Sequence, residues 1–162
     1  MCLDANWRIV DDAAAQEVDL ASLPQVSADG YRYAVTHAFR AQTGVPGVVY
    51  EMVREADEEP IGCVTLLLSD DEDAVMHVGH MGCSIRPEHR SQGHTTRLIR
   101  ALAPVMWARG IGDLILGSAV GHASHYQSIG ATGAMLIGEQ FGDGSNCGAL
   151  FRLSRPASPA GG

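Results

Sequence analysis

The stretch Ile85-Arg86-Pro87-Glu88-His89-Arg90-Ser91-Gln92-Gly93-His94-Thr95-Thr96 decides how this chain folds. Before it, Val75 to Ile85 reads as a strand, which must end at Pro87 because proline has no N–H to give to a ladder. After it, Leu98, Ile99, Leu102, Val105 and Met106 fall on one stripe of a helix, and Arg109-Gly110 supplies a basic last turn and a C-cap. Pro104 lies inside that helix, where it deletes a backbone bond to Arg100 and predicts a kink. A glycine-bearing turn that opens a helix leaves several N–H groups unpaired at the positive end of the helix dipole, a setting that suits phosphate oxygens. The same residues also read as a plain strand-to-helix connection with a permissive glycine, and one such turn does not decide between the two.

Outward from the turn, β-branched and aromatic enrichment makes Val48–Arg54 a strand. Ala56–Pro60 is a polar turn and Ile61–Leu68 resumes as a strand, which completes a hairpin. Tyr33, His37 and Ala41 recur at four-residue spacing, so Tyr31–Gln42 is expected to be a helix ended by Gly44 and Pro46. Trp7–Val10 reads as a short first strand, and Asp11–Gly30 as helix and loop. Downstream, Asp113–Val120 is an apolar strand, His122–Ile129 a short helix, and Ala134–Ile137 and Ala149–Leu153 closing strands. One domain is expected over residues 1–153, with a disordered tail from Ser154 to Gly162. The fold class is α/β with α+β character: a mixed, mostly antiparallel central sheet with helices on both faces, in which a meander gives way to one strand–helix–strand crossover.

Composition narrows the function. The 162 residues carry a net charge of −8, which argues against nucleic acid as a partner because such binding needs a basic face. Residues 1–80 hold 15 acidic side chains and 4 arginines, and residues 81–162 hold 4 acidic side chains and 7 arginines. The halves stand near −11 and +3: a chance imbalance swollen by Asp70-Asp71-Glu72-Asp73, or an anion site in the second half facing a cation-attracting mouth built from the first. There is no lysine, which removes P-loop and Schiff-base chemistry. Cys2, Cys63, Cys83 and Cys147 are widely spaced and are expected to be free thiols. The longest apolar runs are too short to cross a bilayer, and Met1-Cys2-Leu3-Asp4 does not start like a signal peptide, so a cytoplasmic protein with no membrane partner is expected.

Ile85-x-Pro87-Glu88-x-Arg90-x-x-Gly93-x-Thr95 resembles the acetyl-CoA motif of the GNAT superfamily, Val-x-Pro-x-x-Arg/Gln-x-x-Gly-x-Gly/Ala. Upstream, Gly79-His80-Met81-Gly82-Cys83-Ser84-Ile85-Arg86-Pro87 is similar to the Gly-His-Ile-Gly-Tyr-x-Ile-Arg-Pro stretch of one bacterial subgroup of acetyltransferases. Downstream, Tyr126-Gln127-Ser128-Ile129-Gly130-Ala131 resembles the family's Tyr-x-x-x-Gly-Phe. The likeness covers about residues 48–135. It implies a GNAT fold whose fourth and fifth strands splay apart, with acetyl-CoA as co-substrate. The amides of Arg90, Ser91, Gln92, Gly93, His94 and Thr95 would then bind the pyrophosphate. Backbone groups around Cys83, Ser84 and Ile85 would pair with the pantetheine arm, and Asp113–Val120 would form the far wall. The chain departs from the pattern at Thr95, where the family has Gly or Ala, at Ala119, where it has asparagine, and at Ala131, where it has Phe.

Transfer to an amine needs a neutral amine, stabilisation of charge on the carbonyl oxygen and protonation of the departing thiolate. The resemblance gives the last task to Tyr126; the other reading is a tyrosine packing the short helix. His80 and His77 are candidates for the base: His80 matches the subgroup pattern, whereas strand alternation puts His77 on the face of Ile85. Glu51 and His122 stand in reserve. His77-x-x-His80-x-x-Cys83 alternates faces on a strand, so no metal is expected. Tyr31, Tyr33, His37 and Phe39 either line an acceptor pocket or belong to the core. The expected activity is direct N-acetylation of a small, cationic amine, and a homodimer is left open. The rivals are an acyl-CoA-binding module without turnover and an enzyme using a longer acyl donor, for which Gly79 and Gly82 leave room.

Overall fold

The computed structural model describes residues 18–41, 44–76, 79–119, 123–138 and 148–157. Its strands are β1 (Val26–Ala28), β2 (Tyr31–Arg40), β3 (Pro46–Arg54), β4 (Glu59–Leu67), β5 (Met81–Ile85), β6 (Leu114–Ala119), β7 (Met135–Gly138) and β8 (Gly148–Leu153). They form one sheet in the order β1-β2-β3-β4-β5-β6-β8-β7. Every neighbouring pair is antiparallel except β5 and β6. The helices are α1 (Glu72–Val75), α2 (His94–Ala108) and α3 (Ala123–Gly130). The crossover β5–α2–β6 is the one expected, and α2 runs unbroken through Pro104.

Period-2 alternation sorts the strand residues onto two faces. Tyr50, Met52, Val64, Leu66, Met81, Ile85, Leu114 and Leu116 pack with Leu98, Ile99, Leu102 and Met106 of α2 in one cluster. Val49, Cys63, Leu67, Ile115 and Leu150 face the other way and pack with Val75 of α1. Helices therefore cover both faces, although the second face has only the four-residue α1 among the described residues. Thr96 Oγ1 donates to Ser128 O (2.7 Å) and Arg100 Nη2 to Ala131 O (2.8 Å), which ties α2 to α3.

Two expectations need correction. Tyr31–Arg40 is the strand β2, where a helix was expected, and beyond it Ala41 N–H donates to Val45 O (2.9 Å) just ahead of β3. A bulge between Val35 and His37 is the cause. It flips the side-chain parity, so Tyr33 and Ala38 share one core while Phe39 enters the other, and the period-2 signal is lost. Val75–Ile85 is not one strand: Val75 ends α1, and β5 begins at Met81. The acidic loop is largely structural. Asp71 caps α1 by accepting from Asp73 N–H (3.0 Å), Asp70 Oδ1 accepts from Gly112 N–H (3.0 Å), and Glu72 pairs with Arg152.

Part of Asp11–Gly30 is described, as a 3-10 turn at Leu20–Ser22 followed by β1. Arg155 N–H in the expected tail donates to Asp113 Oδ1 (3.0 Å). The expected strand at Trp7–Val10, together with Cys2, His77, His122 and Cys147, lies outside the described residues. Neither Cys63 nor Cys83 forms a disulfide among the described residues. No helix among the described residues is long and apolar enough to cross a membrane.

Candidate functional site

The parallel strands β5 and β6 are joined at one rung, Met81↔Leu116. Just before it, His80 N–H donates to Ile115 O (2.6 Å); beyond it, from Gly82 to Ile85, no pairing with β6 is recorded among the described residues. A gap therefore opens between the C-terminal halves of the two strands. Which groups face it follows from the ladder on the other side of β5. Arg86 N–H donates to Ile61 O (3.0 Å), and the β4–β5 register is regular from Gly62↔Ile85 to Leu66↔Met81. Ser84 and Gly82 thus turn their backbone groups to β4, while Cys83 and Ile85 turn theirs into the gap. Burial pushes the Cys83 thiol up to about 12, so it is a neutral wall of the gap and not a nucleophile.

The turn stands at the open end. Ser91 and Gly93 both have positive φ, +61° and +79°, and Gly93 is the N-cap residue of α2. With no side chain at Gly93, no cap bond occupies the first-turn N–H groups. Arg90 behaves differently from the rest of the motif. Its N–H donates to Pro87 O (3.3 Å) and its Nε to Ile85 O (3.0 Å), so its groups brace the strand end and the open amides run from Ser91 to Thr95. Glu59 accepts from His89 Nε2 (3.2 Å), holding the Pro87–His89 turn against the start of β4. Glu59, Glu88 and His89 are also the group of candidate metal ligands found among the described residues, with ligand atoms within 4.8 Å of one another.

Sequence reasoning passed over Arg97. Its Nη1 donates to Gln92 O (2.9 Å), its guanidinium lies 5.5 Å from the centre of the Tyr31 ring, and a Cβ at Gly93 would stand 3.8 Å from Nη1. A signal was present: the first turn of α2 has no acidic residue and is followed by an arginine, the reverse of what a bare helix dipole favours, and such an excess of positive charge fits an anion. Beneath the turn His94 is 3% exposed, edge-on to Tyr31, with Nε2 lacking a partner among the described residues. Burial, with Arg97 and His89 nearby, pulls its pKa down and keeps it neutral. Tyr31 and Tyr33 thus belong to the base of the turn and to the core, and Phe39 packs in the second core. His37 lies on β2 at the bulge.

Tyr126 is half-buried on α3, the helix that follows β6 in the chain. Its ring meets Phe151 of β8 edge-on, with centroids 5.6 Å apart. Thr95 is 8% exposed and contributes an amide near the start of α2. The candidate histidines are not equivalent: His77 lies outside the described residues, and His80 is 1% exposed with both ring nitrogens bonded. Its Nδ1 accepts from Ile115 N–H (2.9 Å) and its Nε2 donates to Ser69 O (2.8 Å), an arrangement that fixes the neutral tautomer and leaves no nitrogen open to an amine proton.

The described residues thus present a sheet parted at one parallel pair, with open amides and an arginine at the helix start beside the parting. The chain belongs to the acetyltransferase (GNAT) family, whose model matches residues 15–130. Among solved structures it is similar to the ribosomal-protein-S5-alanine acetyltransferase of Vibrio fischeri, with a TM-score of 0.59 at 11% identity, covering 81% of this chain and 96% of that one. It is also similar to an acetyltransferase from Salmonella typhimurium that modifies the N-terminal serine of a 50S ribosomal subunit protein (TM-score 0.53, 14% identity, 71% and 67% covered). A third likeness is to the dodecameric spermidine N-acetyltransferase of Vibrio cholerae (TM-score 0.51, 19% identity, 67% and 64% covered), of which this chain spans just under two thirds. At these identities the likeness is one of fold. Comparison with curated protein sequences finds no match.

Proposed function

We propose that this chain is an N-acetyltransferase that moves an acetyl group directly from acetyl-CoA to a primary amine of a small cationic acceptor. The observation that carries the reading is the combination of open amides at Ser91–Thr95 with a strand edge at Cys83 and Ile85 that no rung to β6 covers among the described residues. The residues present fit the coenzyme: Gly93 supplies a left-handed φ without a blocking side chain, and Arg97 adds positive charge beside the amides. When bound, the coenzyme supplies the activated acetyl thioester.

The chain's own groups divide the remaining work. The amides from Ser91 to Thr95 hold the diphosphate, and Arg97 neutralises it. Cys83 N–H and C=O and Ile85 N–H pair with the amide groups of the pantetheine arm; Ile85 O is held by Arg90. Tyr126 protonates the departing thiolate, the task that the motif match at Tyr126–Ala131 gives it. The carboxylate of Glu51 replaces His80 as the base. It lies on the register row Glu51–Cys63–Ser84, roughly 10 Å from β5 across two strand spacings, and acts through water. The charge asymmetry of the chain supports a cationic acceptor.

The test mixes the protein with acetyl-CoA and, in turn, spermidine, putrescine and a serine-starting peptide, and follows free thiol. Amine-dependent thiol release supports the reading. Coenzyme A binding without release from any acceptor would make the chain a binding module instead.

A further inference from the structure

We propose that His80 is the pin that fixes where β5 and β6 part, and so acts as a positioning residue for acyl transfer. This rests on the reading that the gap holds the acyl thioester. Every polar group of His80 is engaged, and the partners come from three segments. Its N–H donates to Ile115 O (2.6 Å), and its carbonyl accepts from Leu67 N–H (2.8 Å) at the end of β4. Its Nδ1 accepts from Ile115 N–H (2.9 Å), and its Nε2 donates to Ser69 O (2.8 Å) in the loop before α1. Ile115 thus has both backbone groups bound by the same residue, one through the backbone and one through the imidazole.

In an ordinary parallel ladder those two groups would go to two different residues of the neighbouring strand. Here the imidazole stands in for the backbone carbonyl that would precede His80, so Ile115 is satisfied at this one residue and β5 need not run alongside β6 before it. The strands share one further rung, Met81↔Leu116, and then separate. Gly79 makes the close approach possible: its φ is +85°, and a Cβ there would lie 2.9 Å from Gly117 N and 3.0 Å from Ile115 O. Gly79-His80 is therefore a unit that brings the strands together at one point, from which they share a single further rung. The width of the gap at Gly82 and Cys83 follows from the geometry of this pin.

Two variants separate the roles. His80→Asn places an amide oxygen where Nδ1 stands and keeps the Ile115 bond while losing Ser69. His80→Gln reaches toward Ser69 and leaves Ile115 N–H without its acceptor. The pin predicts that Asn keeps kcat within about threefold of wild type, while Gln lowers it about tenfold or more through misplacement of the thioester, with the Kd for coenzyme A little changed. It also predicts that Gln raises turnover of propionyl-CoA relative to acetyl-CoA, because a loosened gap discriminates less by size. The assay uses folded protein, checked by circular dichroism, with the best amine of the panel above. Equal loss in both variants, with the acidic limb of the pH–rate profile abolished, would make His80 the base and overturn the proposal. Wild-type kcat and wild-type acyl preference in both, with only a lower Tm, would overturn it as well, and so would an Asn variant that does not fold. A Gln variant that does not fold hands the comparison to His80→Phe, which also strands Ile115 N–H and carries the same predictions. Wild-type protein that fails to bind coenzyme A would defeat the functional reading itself, separately from the pin.

Discussion

At Gly93 a φ of +79° holds the amides of the turn outward, and the neighbouring Ser91 reaches +61° with a side chain attached. A β-branched residue at Gly93 would meet little steric resistance from neighbours, since the nearest atom to a Cβ is Arg97 Nη1 at 3.8 Å. The left-handed conformation itself would cost about 1–2 kcal/mol. Gly93→Val is expected to fold with a Tm a few degrees lower and to lose coenzyme A binding by calorimetry. Tyr126→Phe should lower kcat by roughly 10–100-fold and leave the Kd for coenzyme A unchanged; full activity would remove Tyr126 from the chemistry. His80 titrates below its ordinary 6.5, chiefly from burial and against the opposing pull of Ser69 O, Asp70 and Glu72. The unfolded chain therefore binds a proton that the folded one refuses, so the stability His80 contributes is present above pH 6.5 and falls as pH drops below it. Chemical denaturation of His80→Asn should show a weaker loss of stability in that acid range than wild type, though not a flat one, because buried His94 shifts the same way.

Among the elements, the crossover was legible from sequence because three local signals agree there: Pro87 ends a strand, Gly93 opens a helix and the stripe Leu98–Met106 fixes its face. The strand β2 was not legible. Its bulge at Val35/His37 replaces alternation by a spacing that reads as helical, and nothing local marks a bulge. The site divides the same way. The turn could be found from its motif, but the parity that aims Cys83 and Ile85 into the gap needs the partner strand, and the engagement of His80 needs Ile115, 35 residues away. Gly62 shows how closely β4 must approach β5: a Cβ there would come within 2.4 Å of Ser84 O. Gly62→Val should force β5 outward, lowering Tm by several degrees and weakening coenzyme A binding in the same preparation. An unchanged affinity would mean that β5 does not form the cofactor edge.

For the whole molecule, the division of charge between the halves is only partly internal. Glu58 pairs with Arg32, Asp57 with Arg54 and Glu72 with Arg152, all at or near the surface, where each pair is worth little. The remaining acidic excess is expected to draw a cationic acceptor. KM for spermidine should rise several-fold between about 20 and 200 mM salt, as screening of exposed charges predicts, while kcat stays level. The central claim is that the amides from Ser91 to Thr95 grip a diphosphate. Calorimetry of the wild-type chain with coenzyme A and with pantetheine, which lacks the diphosphate, tests it most directly. Coenzyme A should bind at least about a hundredfold more tightly, as two or three charge-assisted hydrogen bonds imply. Equal affinities, or no heat with either from folded protein, would contradict it.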